Sequence, residues 1–198
     1  MSERPHHRPM KPGSDFFEEL TGGVDPAAVS EAADRAATLL VRGARESGDD
    51  AVADRLLHLA ESEGIETIAE VWAGSPADSL AGCLWRLYLL RSWVYADPVG
   101  VAREYEAGRA RAQVARVVAG VADPPGPDEL KAMIDQVLRG IVGSDFADVL
   151  LRAAAFARVV ATGRASLTGP TNDEVRRMLG LAEQLEAAGH AELDEGLS

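Results

Sequence analysis

The chain has 198 residues and a formal net charge of −12, and its length suits one domain or two small ones. Hydrophobic residues make up 46% of it and aromatic residues only 5%, a composition that favours helices over sheets. The acidic charge disfavours nucleic acid and anionic membranes as partners, and the single cysteine, Cys83, excludes an intramolecular disulfide and a cysteine zinc site.

Residues 1–13 read MSERPHHRPMKPG and have no apolar periodicity. Arg4, Arg8 and Lys11 outweigh Glu3, which leaves a local charge of +2. Three prolines also interrupt this stretch, so the pattern predicts a disordered basic arm. No long apolar run occurs near this arm or elsewhere, which predicts no secretory leader, no membrane span and a cytoplasmic location.

Three helices are predicted before residue 65. Ser14-Asp15 precedes a short helix over FFEEL, and Asp25-Pro26 opens a longer one that ends near Gly48. Asp49-Asp50 opens the third, which Gly64 ends.

The most apolar segment is LAGCLWRLYLLRSWVY, which follows a shorter helix over residues 65–73 and a Ser75-Pro76 helix start. Its apolar residues occupy two faces, and a helix that is apolar on both faces is normally contacted from several sides. We therefore expect a central helix over about residues 78–95.

The second half of the chain has the same kinds of helix start and stop signals. Asp97-Pro98 starts a helix to about residue 119, and residues 120–127, GVADPPGP, form a rigid break. Further helices begin at Pro127-Asp128 and Ser144-Asp145, and residues 171–173 cap a last helix through about residue 188.

No segment alternates β-branched and polar residues, so we predict no sheet. The fold class is all-α: eight to nine helices packed as antiparallel pairs around the central apolar helix. Residues 14–190 form a single all-helical domain in this prediction, and residues 191–198 form an acidic, frayed tail.

Two segments of the chain agree at an offset of 66 residues without a gap. Residues 68–86 and 134–152 share six identical positions, which are Ile68/Ile134, Val71/Val137, Gly74/Gly140, Ala81/Ala147, Leu84/Leu150 and Arg86/Arg152. Stacked helical pairs give this signature, but amphipathic patterning alone also produces apolar matches. An internal duplication and chance agreement both remain open, and no known repeat signature is present.

No recognisable catalytic constellation occurs in the sequence. It lacks a phosphate-binding glycine loop, a GxSxG elbow and an HExxH motif, and Cys83 lies inside the most apolar helix. Asp54, His58 and Glu61 share one helix face, which we interpret as a solvated face. The pattern favours a non-catalytic protein and predicts no cofactor and no metal site.

Two surfaces are candidates for binding. The central helix carries an aromatic and arginine cluster that predicts a ligand or partner groove, composed of Trp85, Arg86, Tyr88, Arg91, Trp93 and Tyr95. The alternative is that its arginines pair with acidic residues of neighbouring helices. The next helix predicts a basic patch of Arg103, Arg109, Arg111 and Arg116, which faces either an acidic partner or the acidic last helix.

The leading hypothesis is a cytoplasmic α-helical protein-interaction or regulatory module whose partner is another protein or a second copy of itself. One alternative is a small-molecule-binding helical protein or enzyme with an arginine and aromatic pocket. A second alternative is a transcription-associated factor that uses the basic arm.

Overall fold

The structure is a computed structural model that describes residues 26–42, 65–112, 124–139, 146–194 and 196–197. Within these ranges there are seven helices and no strand, so the all-helical class is confirmed for them. The helices are α1 (Pro26–Arg42), α2 (Ile65–Trp72), α3 (Leu80–Ala96), α4 (Pro98–Ala112), α5 (Pro127–Leu138), α6 (Phe146–Arg164) and α7 (Asn172–Asp194). The basic arm and the helices predicted after residues 15 and 50 lie outside the described ranges, so the total of eight to nine stays a prediction.

Side-chain caps explain where α4 and α7 begin. The Gly100 amide donates to Asp97 Oδ1 at 2.9 Å, next to proline at the first position of α4. At α7 the Glu174 amide donates to Thr171 Oγ1 at 3.3 Å, and the Thr171 amide donates to the Glu174 carboxylate at 2.7 Å. The hydrogen bonds from Thr171 hold the pKa of Glu174 below its usual range. Both predicted helix starts are confirmed.

The start of α3 differs from the prediction. Its cap is Ser79, whose Oγ accepts from the Gly82 amide at 3.1 Å, and not Ser75. Residues 75–79 form a turn whose Pro76 carbonyl oxygen would lie 1.6 Å from a Cβ at position 82. Glycine at 82 therefore lets the turn pack directly on the first turn of the helix, and the helix begins after it.

Burial is greatest in α6, although α3 contacts every other described helix. Twelve of the 19 residues of α6 are buried, compared with eight of the 17 in α3. The second apolar face of α3 is partly exposed, and Leu89 on it is 42% exposed. The reason is that α6 packs between α4 and α7 along its length, whereas α3 touches its neighbours over shorter stretches.

Two glycines let α4 approach α6 closely. A Cβ at Gly108 would lie 1.9 Å from the Val159 carbonyl oxygen, and one at Gly163 would lie 1.7 Å from the Glu104 carbonyl oxygen. From the contact at Gly163 to the contact at Gly108, the residue number increases along α4, from 104 to 108, and decreases along α6, from 163 to 159. Tyr105 lies between these contacts, stacks on Phe156 with 5.4 Å between ring centroids, and is almost fully buried.

The helix bounds repeat at the offset of the sequence agreement. Trp72 and Leu138 end α2 and α5, and Leu80 and Phe146 begin α3 and α6, each pair 66 residues apart. All four side chains are buried. The agreement is incomplete because Val71 is 39% exposed, whereas its counterpart at 137 is buried. The internal duplication stays a prediction.

Candidate functional site

The six residues of the predicted groove lie on different sides of α3. Trp85 and Tyr88 stack on each other with 5.7 Å between ring centroids. Arg91 and Tyr95 both contact Asp135 of α5, whereas Arg86 turns toward α7 and Trp93 toward α6. The structure thus brings together two pairs of these residues rather than all six.

Arg91 belongs to a cluster between α3 and α5. Its Nε donates to Asp135 Oδ1, and the hydroxyl of Tyr95 donates to Asp135 Oδ2 at 2.9 Å. The ring of Tyr95 lies beside two cations, the Arg91 guanidinium at 4.6 Å and the Lys131 ammonium at 5.1 Å from the ring centroid. Lys131 also pairs with Asp128. Pairing with an acidic residue of a neighbouring helix is the alternative that the sequence offered for these arginines, and Asp135 is such a partner for Arg91.

Arg86 makes its contacts with uncharged groups. Its Nε donates to Gln184 Oε1 of α7 at 2.7 Å, and its Nη1 donates to the Gly82 carbonyl at 2.8 Å. Neither of these two partners carries a negative charge, and in the part of the chain that the structure describes Arg86 forms no ion pair at the junction of α3 and α7.

Trp93 packs beneath an ion pair that the sequence analysis did not identify. The guanidinium of Arg164 lies 5.0 Å from the centroid of the Trp93 ring. Its Nε is 3.0 Å from both carboxylate oxygens of Glu104, and the two side chains are only 12% and 14% exposed. The pair joins the end of α6 to α4. Nothing in the local sequence marks it, because the two residues are 60 positions apart.

A surface pocket of about 400 Å³ lies beside this ion pair, in the loop between α6 and α7. It is lined by Arg164, Ala165, Leu167, Pro170, Asn172, Val175 and Arg176. Arg164 binds Glu104 and Arg176 binds Asp173, so both guanidinium groups that face the pocket already have carboxylate partners. The pocket therefore presents little uncompensated charge, and none of the six predicted groove residues lines it.

The basic patch of α4 remains on the surface. Arg103, Arg109 and Arg111 are exposed, and in the described part of the chain none of them pairs with a carboxylate. Arg109 only approaches the ring of Tyr105, at 6.0 Å from its centroid. The expected pairing with the last helix is not found for these three residues. Arg116, the fourth member of the patch, lies outside the described residues.

Three carboxylates of α7 pair with arginines outside α4. Glu186 pairs with Arg158, Glu192 with Arg42, and Asp173 with Arg176. Because α4 and α7 pack on α6 and not substantially on each other, these carboxylates do not reach the arginines of α4. The packing order of the three helices thus explains why Arg103, Arg109 and Arg111 have no carboxylate partner among the described residues.

Cys83 does not have the surroundings of a reactive thiol. It is fully buried, its Sγ lies 3.5 Å from the Ala77 carbonyl oxygen, and burial raises its pKa to about 12. Among the described residues there is also no group of three or more side chains placed to hold a metal ion. The set of Asp54, His58 and Glu61 lies outside them.

No helix in the described ranges is long and apolar enough to cross a membrane. No protein-family model, no curated protein and no solved structure matches this chain.

Proposed function

We propose that this protein is a non-catalytic helical module of the cytoplasm that binds an acidic surface of another protein. The binding surface is the exposed side of α4 that carries Arg103, Arg109 and Arg111, hereafter the α4 arginine surface. The observation that carries the proposal is that these three guanidinium groups have no carboxylate partner among the described residues of a chain whose net charge is −12. Uncompensated positive charge on an acidic protein is suited to electrostatic complementarity with a negative partner.

The fold increases the positive character of this side of α4. Glu104, one of the two carboxylates of the helix, is drawn inward by Arg164 and is 14% exposed at its side chain. Glu106 is therefore the carboxylate that α4 exposes to solvent beside the three arginines. Arginine suits this role because its planar guanidinium group binds carboxylates through two parallel hydrogen bonds.

An exposed apolar side chain lies next to the arginines. Val99, in the first turn of α4, is 79% exposed and sits one helical turn before Arg103. Interfaces commonly combine an apolar centre with charged residues at the rim. In this proposal, eight to nine helices in antiparallel pairs, with or without an internal duplication, form the rigid frame that presents the surface.

Two charge-matched variants test the proposal. The double variant Arg103→Glu/Arg111→Glu reverses charge on the α4 arginine surface. The control variant, Arg35→Glu/Arg176→Glu, makes the same change in net charge at arginines that are 69% and 75% exposed on α1 and α7. Binding of a short fluorescent polyglutamate peptide is measured by anisotropy. We expect the surface variant to bind the peptide about tenfold or more weakly than the control variant does. We also expect the affinity of the wild-type protein for the peptide to fall as the salt concentration rises.

The natural partner is then captured on immobilised protein and quantified. Stoichiometric capture by wild type and by the control variant, but not by the surface variant, supports the proposal. Equal loss in both variants contradicts it, because net charge and not the α4 arginine surface would then govern binding. If sedimentation experiments show a concentration-dependent dimer that only the surface variant abolishes, the partner is a second copy of this chain. That result would contradict the proposal that the partner is another protein.

A further inference from the structure

The end of α7 is tied to the end of α1 by a largely buried ion pair. Arg42, the last residue of α1, donates from Nη1 and Nη2 to the two carboxylate oxygens of Glu192 at 2.5 and 2.7 Å. The side chain of Glu192 is 7% exposed and that of Arg42 is 25% exposed. The two residues are 150 positions apart, so the pair connects the first and last described helices.

Leu197, beyond the end of α7, bonds to both members of this pair. The amide of Leu197 donates to Glu192 Oε2 at 2.7 Å, and the Leu197 carbonyl accepts from Arg42 Nη2 at 3.4 Å. The Leu197 side chain itself is 9% exposed. Gly196 makes these hydrogen bonds possible, because its φ of 77° lies in the left-handed region that favours glycine.

A buried ion pair is favourable only when further hydrogen bonds satisfy its remaining polar atoms and water is kept away. Leu197 contributes to both requirements, since its backbone bonds to both members of the pair and its side chain belongs to the buried hydrophobic core. The sequence predicts a frayed tail after residue 190. In the structure α7 continues to Asp194, and Leu197 contacts Arg42.

We propose that Gly196 and Leu197 form a strap that closes over the Arg42–Glu192 pair and locks the end of α7 to α1. When the strap lifts, water reaches the pair and this corner of the fold opens locally, while α4, α6 and the first half of α7 stay packed. The strap is thus a conformational device through which a change at the end of α7 reaches α1. It is independent of the α4 arginine surface.

Hydrogen–deuterium exchange of the full-length protein tests the strap. Leu197→Ala removes the anchoring side chain, and Gly196→Ala disfavours the left-handed backbone. The control is Gly169→Ala, which also introduces a side chain at a positive φ, 128°, in the loop between α6 and α7, with nothing within 4 Å of the new Cβ. We expect both strap variants to accelerate exchange about tenfold or more in residues 36–42 and 190–194, and the control to leave both segments unchanged.

A double variant shows whether the strap acts through the ion pair. Glu192→Gln should accelerate exchange in the same two segments, and adding Leu197→Ala to it should change little further, because the pair that the strap protects is already lost. Full additivity of the two substitutions contradicts the proposal. So does unchanged exchange in residues 36–42, or acceleration of similar size in all helices, which indicates a global loss of stability. If Leu197→Ala fails to fold, Gly196→Ala alone decides between these outcomes.

Discussion

Cys83 shows how burial changes the chemistry of one residue. The thiol lies on the buried side of α3, in a helix whose first turn is covered by the turn at residues 75–79. Burial penalises the charged thiolate and raises the pKa of Cys83 to about 12, although the nearby guanidinium of Arg86 acts in the opposite direction. Desolvation therefore outweighs the favourable charge, and the residue is a core side chain rather than a nucleophile.

This shift predicts a dependence of stability on pH. In the unfolded chain the thiol ionises near its ordinary pKa of 9.0, whereas burial in the folded chain raises the pKa to about 12. Thiolate formation therefore favours the unfolded state. The contribution of the protonated thiol to the free energy of unfolding is complete below pH 9.0 and is lost as pH rises toward about 12. The expected loss is about 1.4 kcal/mol per pH unit within that window.

Urea unfolding of wild type and of Cys83→Ala between about pH 8 and pH 10.5 measures this contribution. Other groups titrate equally in both proteins, so the difference between the two slopes isolates the thiol. Parallel slopes would show that Cys83 is not desolvated in the folded protein.

At the scale of elements, glycine decides how closely α4 and α6 pack. The Cβ of an alanine at 163 would overlap the Glu104 carbonyl oxygen, so the two helices would have to separate. Separation would also disturb the ion pair between Arg164 and Glu104, which lies at the same contact. The backbone contact and the ion pair thus support each other.

We expect Gly163→Ala to destabilise the protein by about 1–3 kcal/mol, since a small-to-large change in a tight interface forces a backbone shift. Gly180→Ala is the matched control, because position 180 is helical and has nothing within 4 Å of the new Cβ. There the better helix propensity of alanine should stabilise by about 0.5–1 kcal/mol. Chemical denaturation measures both changes, and a Gly163→Ala protein as stable as Gly180→Ala would disprove the close approach.

At the scale of the whole molecule, the extent to which each helix is buried determines how strongly it resists local opening. α6 packs between α4 and α7 and is the most buried of the described helices, whereas α3 makes shorter contacts with many helices. Local opening requires the loss of buried contacts, so the last helix to open is the one that buries most. The structure therefore places the most protected region at α6 rather than at the helix that the sequence marks as most apolar.

Native-state hydrogen exchange of wild type checks this order. The amides of residues 150–161 in α6 should be the slowest to exchange, at the rate set by global unfolding, and those of α3 should exchange faster. Slower exchange in α3 than in α6 would restore α3 as the centre of the fold.

The sequence alone predicts the helices well wherever local chemistry defines them. Helical spacing of apolar residues gives the class, and Asp97 with Pro98 and the segment 171–173 mark two starts that the structure reproduces. The start of α3 differs because the sequence places the cap at Ser75, whereas the turn that packs on Gly82 makes Ser79 the cap.

The binding surfaces could be predicted only in part. The sequence identifies the arginines of α4 and the aromatic residues of α3 as unusual, but it does not give their partners. Asp135 for Arg91 and Glu104 for Arg164 lie 44 and 60 positions away. Such pairs depend on how far one helix slides and rotates against another, which glycine contacts and core packing determine.

What the sequence by itself determined is therefore local: an acidic, helical chain with a buried cysteine and a set of capped segments. Only the tertiary structure decided which charges are neutralised. It draws Glu104 inward to Arg164 and Glu192 to Arg42, and it leaves the α4 arginine surface without a carboxylate partner among the described residues. The physical reason is that periodicity assigns a side chain to a face of its own helix, whereas the neighbour that this face meets is set by the packing of the whole chain.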